Sequence, residues 1–424
     1  MQETKTQETP TAHGLSAKKQ IILIFLCWLM YVASYVGRYS YNSNITAIQT
    51  AFSLGKYSST GLVTTFFFFA YGAGQVVNGL LCKYPWYNKR YVLSVALAVC
   101  ALVNLTVFLG ADFVFFKWLW LVNGAALSTL WCSLILTLSE NLETKRLKTA
   151  ILVMGTTVAS GTVVAYGLSA LFALFDGWRF TFLVAAIVTA VVAVVWLIFY
   201  NGLVLPREER AAVQKSEAVD EGGERMSKTV LWLMLGALAI FSVVNNLIKD
   251  GLMTWVPSIL KDRYGFGDSL SIILALALPL VGFFGVLLVS ELKKKTNSFV
   301  LISGFLYAVT LLGLLGVLGS YGLSTFIPLL VCFALSYCFM SGVNNVVTAS
   351  APLYLRREVN SGVLAGVLDG FCYLGSTISS YGLGKFADFA GWKAVFVLLT
   401  VCAAVSVVVA AAFLIWEQTR KRKK

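Results

Sequence analysis

Four ionisable side chains stand inside stretches that are otherwise almost wholly apolar: Arg38, Lys249, Asp250 and Asp369. A charge at the centre of a membrane helix costs roughly 3 kcal/mol on insertion scales, so each needs a partner or a task. Arginine presents a planar fork of donors that matches phosphate or carboxylate, and lysine a compact point charge. Two such cations converging in a low-dielectric space suit a dianion or near-dianion, phosphate better than a simple monocarboxylate. Two plainer readings stand beside this one. Arg38 could serve a structural ion pair inside a bundle, and Lys249 could snorkel toward an interface that Trp255 and Pro257 place not far beyond it.

The neighbours of these charges extend the pattern. Ser34, Tyr35, Tyr41 and Asn42 lie three and four residues from Arg38 and form a polar-aromatic stripe on one helix face. Asn245 and Asn246 stand at the same spacings from Lys249, and Asp369 is followed on one face by Cys372, Tyr373 and Ser376. The expected substrate-binding set is therefore Arg38, Lys249, Tyr35, Asn42, Asn245, Asp369 and Tyr373. Ser341, Asn344 and Asn345, with Thr156, Thr157 and Ser160, either extend the lining or hydrogen-bond between helices. Asp250 points about 100° away from Lys249 on a helix and is not expected to share its face. Asp369 is the carboxylate expected to neutralise Lys249 in the empty site and to give way to an anion.

The elements that must position these residues are membrane helices. Of the 424 residues, 58% are hydrophobic and only 12% charged, with a mean hydropathy of +0.80. Soluble domains carry about a quarter charged residues, so the solvent of this chain is largely lipid. Twelve apolar runs long enough to span a bilayer, from 20–49 to 391–416, predict an all-α membrane protein of twelve transmembrane helices. Residues 204–228 hold eleven charges in twenty-five positions and read as an exposed linker. The expected organisation is a tail at 1–19, a six-helix bundle at 20–203, the linker, a second six-helix bundle at 229–416, and a basic tail at 417–424.

Charge distribution gives a topology. With the first residue in the cytoplasm, 24 Lys and Arg fall in inside segments and 7 outside. That bias predicts both termini on the cytoplasmic side of the cell (inner) membrane. The halves resemble each other: Asp176-Gly177-Trp178-Arg179 recurs as Asp388 and Gly391-Trp392-Lys393, and Tyr166-Gly167-Leu168 as Tyr381-Gly382-Leu383. Arg38 and Lys249 are 211 residues apart, close to that offset. A parallel pseudo-two-fold repeat would bring both to one midplane site.

Other chemistries find no footing. The net charge of +13 sits in short clusters between apolar runs, which reads as membrane topology and not as a nucleic-acid surface. The single histidine, His13, lies in the polar tail, and the eight cysteines show no metal or disulfide spacing. No metal, cofactor, enzymatic constellation or nucleotide-binding loop is expected, so transport would be secondary and the protein a monomer. Glu140, Arg146 and Arg356 stand where inter-bundle ion pairs could close the cytoplasmic gate, or could equally be solvated helix ends.

The motifs resemble those of the major facilitator superfamily, and within it the organophosphate:phosphate antiporter family. Tyr35-Val36-Gly37-Arg38 is similar to that family's Tyr-x-x-Arg phosphate element, and Ala70-Tyr71-Gly72 with Gly79 to its second helix. Lys249-Asp250-Gly251 through Trp255 and Pro257 resembles its Arg-x-Gly-x-x-x-Trp-x-Pro element, with Lys249 in place of the second arginine. Gly370-Phe371-Cys372-Tyr373-Leu374-Gly375, then Asp388 and Gly391-Trp392, match its eleventh-helix run. Thr157 replaces a family histidine and Lys83 a common acidic residue, which marks a divergent member. The resemblance implies that both cations bind the phosphoryl group of a sugar phosphate or glycerol phosphate, exchanged for inorganic phosphate by alternating access. A proton-coupled symporter of an organic anion and a transport-silent sugar-phosphate sensor remain the alternatives.

Overall fold

The computed structural model describes residues 15–422 apart from 82, 83, 85, 143, 207–225, 297, 356, 357 and 360. Arg356 and most of the expected linker thus lie outside the described residues. Every described regular element is a helix, because a chain this apolar must satisfy its backbone N–H and C=O groups internally. Before position 207 come α1 (Ala17–Asn42), α2 (Ile45–Ala51), α3 (Tyr57–Leu81), α4 (Lys89–Phe108), α5 (Phe113–Leu127), α6 (Leu130–Asn141), α7 (Thr144–Gly155), α8 (Thr157–Ala173) and α9 (Arg179–Leu203). After 225 come α10 (Lys228–Tyr264), α11 (Asp268–Ala275), α12 (Ala277–Lys295), α13 (Phe299–Ser320), α14 (Ile327–Asn345), α15 (Ala351–Tyr354), α16 (Ser361–Thr377) and α17 (Leu383–Arg422). π-helical turns at Val346–Ser350 and Ile378–Gly382 join α14 to α15 and α16 to α17.

Among the described residues, 11 helical stretches are long and apolar enough to cross a membrane. The last, Val363–Arg420, has 58 residues. At 1.5 Å per residue that is about 87 Å, against a hydrocarbon core of about 30 Å. It is broken at Gly391, where φ is 77° and ψ 167°, a backbone shape that a Cβ would disfavour. The arms on either side correspond to the expected runs 359–386 and 391–416. The expected run 20–49 is likewise interrupted. Ser43 Oγ donates to the Tyr39 carbonyl at 2.8 Å and Asn44 Nδ2 to the Ser40 carbonyl at 2.8 Å, ending α1.

Breaks within the spans are tied off in the same way. Thr129 Oγ1 donates to the Ala126 carbonyl at 2.9 Å where α5 gives way to α6. Thr156 Oγ1 donates to the Val153 carbonyl at 2.7 Å between α7 and α8. These hydroxyls add a second donor to carbonyls that backbone amides also reach, satisfying the spare lone pairs that a broken helix exposes. Pro257 inside α10 creates a different case. Lacking an N–H, it leaves the Met253 carbonyl four residues earlier without a helical donor. The Tyr166 hydroxyl of α8 fills the vacancy at 2.9 Å.

Helices before position 207 pack on one another, α4 on α9, α3 on α5, and α1 on α8 and α9. Those after 225 do likewise, α12 and α13 on α14, α13 on α17, and α10 on α16. The two sets meet along α3 against α16, and along α8 against α11 and α12. Trp232, Phe284 and Ile198 are 71%, 63% and 61% exposed, an apolar exterior that only lipid would cover.

Arg146 Nη1 donates to the Ala17 carbonyl at 3.0 Å, and Arg420 Nη2 to the Ser227 hydroxyl at 2.8 Å. The start of α1 and the end of α17 lie on the side of the helix array that holds Ile151 and Pro352, the terminal end. The opposite end is shut by contacts between the two sets. The Asp388 carboxylate accepts from the Tyr57 and Ser58 amides at 2.8 and 3.0 Å, capping the first turn of α3. The Tyr57 hydroxyl donates to Asp262, and Asn42 Nδ2 donates to Thr254 Oγ1 at 3.2 Å. Removing the Tyr166 donor would leave the Met253 carbonyl buried and unpaired, at about 1 to 3 kcal/mol to the shut state. Tyr166→Phe is therefore expected to raise labelling of a Ser258→Cys reporter, by an impermeant thiol reagent from the shut side, roughly fivefold or more. An unchanged rate would show that this bond contributes nothing to closure.

Candidate functional site

A cavity of about 230 Å³ lies between the two helix sets, lined by residues from α1, α6, α7 and α8 on one side and α10, α12, α14 and α16 on the other. It runs from Arg38 toward the terminal end, where Ile151, Pro352 and Ala365 line it. The shut end closes it above Asn42 and Thr254. Arg38, Lys249, Tyr35, Asp369 and Tyr373 all line this one space, so the two cations 211 residues apart in sequence share a chamber.

Arg38 is 5% exposed. The rings of Tyr35, Tyr39, Phe67, Phe68, Tyr71 and Tyr373 surround its guanidinium, with centroids between 4.7 and 5.7 Å away. Nη1 donates to the Tyr373 hydroxyl at 3.2 Å. Among the described residues, no carboxylate lies within 4 Å of it. Cation–π contacts engage ring faces and leave the remaining N–H donors for another acceptor. The cage is built from both helix sets. Tyr35 and Tyr39 stack at 5.5 Å on α1, and Tyr71 of α3 lies 4.4 Å from Tyr373 of α16. Gly72 makes that meeting possible, since a Cβ there would fall 2.7 Å from the Tyr373 Cβ.

Lys249 is differently placed. Its Nζ lies 3.5 Å from Asp250 Oδ1, with the two side chains 12% and 6% exposed. Asp250 Oδ2 accepts from Ser376 Oγ at 2.5 Å and from Asn246 Nδ2 at 3.2 Å. Asn245 Nδ2 in turn donates to Asn246 Oδ1 at 2.8 Å and to Asn344 Oδ1 at 3.2 Å. The carboxylate is thus held from two sides, and the lysine has a fixed counter-charge.

Several expectations need correction. Asp250 and Lys249 do meet: the 100° separation of adjacent residues applies to their Cβ directions, and the flexible lysine stem folds back across it. The lysine's partner is accordingly Asp250, while Asp369 has no cation within 4 Å among the described residues. Asn42 does not line the cavity; one turn of helix beyond Arg38, about 6 Å along the axis, it falls in the shut end. Asn245 is fully buried behind the lining and acts on it only through Asn246 and Asn344. Glu140 pairs with Lys89 at 2.8 Å and Arg146 with the Ala17 carbonyl, both partners in the same helix set. Asn246, Asp250, Tyr39 and Tyr337 are among the residues that line it beyond the expected set. Asn246 carried a spacing signal, and Tyr337 on α14 carried none.

A family model described as Major Facilitator Superfamily matches residues 27–380. The chain belongs to that superfamily. The "Membrane sensor protein UhpC" of Escherichia coli (strain K12) is 24% identical, over 92% of this chain and 91% of that one. A "Probable hexose phosphate transport protein" of Chlamydia pneumoniae is 21% identical, over 96% and 93%. These relatives bear out the resemblance to the organophosphate:phosphate antiporters as a divergent member. In fold, a bacterial homolog of the human lysosomal transporter Spinster, in an inward-facing and occupied conformation, superimposes with a TM-score of 0.69 at 16% identity. It covers 96% of this chain and 98% of its own. A D-xylose–proton symporter gives 0.69 at 12% identity, over 93% and 97%. Family and fold are those of multi-pass membrane transporters.

Within this superfamily chain the Lys249–Asp250 pair makes a direct prediction. Asp250→Asn strands a largely buried ammonium, and should destabilise the protein by up to about 3 kcal/mol. The double variant Lys249→Met/Asp250→Asn should regain most of that loss in thermal unfolding. Losses that simply add would show that the two side chains do not act as a pair.

Proposed function

We propose that the chain is a secondary transporter of a small phosphorylated organic anion, a sugar phosphate or glycerol phosphate, exchanged for inorganic phosphate through this cavity. The observation that carries the reading is Arg38, a buried guanidinium with no carboxylate partner among the described residues, its donors open to a chamber that reaches one end of the protein. A phosphoryl group is an acceptor whose geometry a planar fork matches. Relatives named as hexose phosphate transport proteins support the same class of cargo.

The architecture proposed is twelve spans, six in residues 20–203 and six in 229–416, with 204–228 as linker and 1–19 and 417–424 as tails. The break at Gly391 supports the twelfth span. The meeting of α3 with α16, and of α11 and α12 with α8, supports a pseudo-two-fold relation, since each pair is the repeat counterpart of the other. The excess of Lys and Arg supports a terminal end in the cytoplasm, the cell (inner) membrane around the spans, and an open cavity facing inward. Rocking of one set against the other would then expose Arg38 to the opposite side. Glu140, Arg146 and Arg356 are assigned to closing the terminal end in that second state.

A second reading is favoured by the relatives named membrane sensor proteins: binding of a sugar phosphate without turnover. Counterflow separates the two. Proteoliposomes loaded with inorganic phosphate should take up labelled hexose phosphate, and Arg38→Ala should lower hexose phosphate affinity by about 100-fold, the scale of a lost buried charge contact. Binding without counterflow selects the sensor. Undiminished binding in Arg38→Ala ends both readings.

A further inference from the structure

Resting on that reading, the charges of the cavity narrow the cargo. Four side chains of the acidic and basic types line it, two cationic and two anionic: Arg38, Lys249, Asp250 and Asp369. They are not equivalent. Lys249 and Asp250 cancel in place, and the Asp250 carboxylate is fixed by the Ser376 hydroxyl and the Asn246 amide. Among the described residues, one cation, Arg38, and one carboxylate, Asp369, have no ion-pair partner within 4 Å, although Asp369 feels the charges of Lys249 and Arg38 at longer range. Their relative position is set by α16. Tyr373, whose hydroxyl accepts from Arg38, and Asp369 are four residues apart, hence on one helix face and about 6 Å apart along the axis. Asp369 lies on the side of the open terminal end. A cargo seated with its phosphoryl group on Arg38 therefore extends its organic part past a bare carboxylate.

We propose that the cargo is an aminated sugar phosphate, its phosphoryl group on Arg38 and its ammonium on Asp369. A plain dianion would face only one uncompensated cation and, beside it, a repelling carboxylate in a space sheltered from water. An ammonium at the organic end reverses that second contact. It replaces repulsion by a charge-assisted hydrogen bond and leaves the Lys249–Asp250 pair undisturbed. Asp369 is then the residue that sets specificity, and Arg38 the one that sets affinity for the phosphoryl group.

Two probes that differ in one group test this: glucose 6-phosphate, and glucosamine 6-phosphate, in which one hydroxyl becomes an ammonium. Affinities are measured by titration calorimetry on the full chain in lipid nanodiscs. The aminated probe should bind the unmutated protein on the order of tenfold more tightly, the scale of one charge-assisted hydrogen bond. In Asp369→Asn that preference should vanish while glucose 6-phosphate still binds, which also shows that the variant is folded. Equal affinities in the unmutated protein, or a preference that survives Asp369→Asn, overturn the pairing and leave the transport reading standing. Failure of both probes to bind the unmutated protein overturns the transport reading, and this inference with it.

Discussion

A guanidinium with no carboxylate within 4 Å among the described residues, held inside a ring of aromatic faces, is the constraint around which this molecule is organised. Burying a cation costs several kcal/mol unless something answers its charge. Cation–π contacts of about 0.5 to 2 kcal/mol each answer Arg38 in part, without taking up the N–H donors that an anion would need. The solution demands aromatic residues from α1, α3 and α16 at once, and therefore demands that the two helix sets meet at that depth. Gly72 is where they approach closely enough to let Tyr373 in. The cage thus binds the two sets together at one level and leaves them apart nearer the terminal end.

Closure of the opposite end follows from backbone chemistry more than from ion pairs. Pro257 frees a carbonyl that a tyrosine from the other set must satisfy. The first turn of α3 offers bare amides that Asp388 caps from the other set. In lipid, such groups have no water to fall back on, so each break in a helix is a place where one set can hold the other. The contacts are one hydrogen bond at Met253 and two at Asp388, to groups that water could reach if the ends parted. A gate made of such bonds is strong enough to hold one state and weak enough to be exchanged for another.

Much of this was legible in the sequence, and for physical reasons. Spans are legible because length and apolarity alone define them; even the division of Val363–Arg420 was visible, since Gly391-Trp392 sits between two apolar runs. Arg38, Lys249, Tyr35, Asp369 and Tyr373 were legible because unpaired polarity in an apolar helix is rare. Depth was not. Helical spacing says which face Asn42 shares with Arg38, but which end of the protein is shut decides whether that residue meets the cavity. The Lys249–Asp250 pair escaped for a related reason: a wheel of Cβ directions does not describe the reach of a four-carbon side chain. Tyr337 and Tyr39 escaped because tyrosines in membrane helices more often anchor or pack, and only the cavity distinguishes these two.

The two helix sets use their buried cations unequally. Arg38 and Lys249 stand at matching positions, yet one is left free within aromatic faces and the other is cancelled by its own neighbour in the chain. A symmetric scaffold with two equal cations would hold a dianion centrally. With Lys249 tied to Asp250, and Asp250 tied to Ser376 and Asn246, the second half contributes shape and hydrogen-bonding groups where the first contributes charge. On the proposed function, the asymmetry would shift the centre of anion recognition onto α1 and free α16, through Asp369, to face the organic part of a ligand. Substrate choice in such a protein can change by altering α16 without disturbing the cage that α1 and α3 supply.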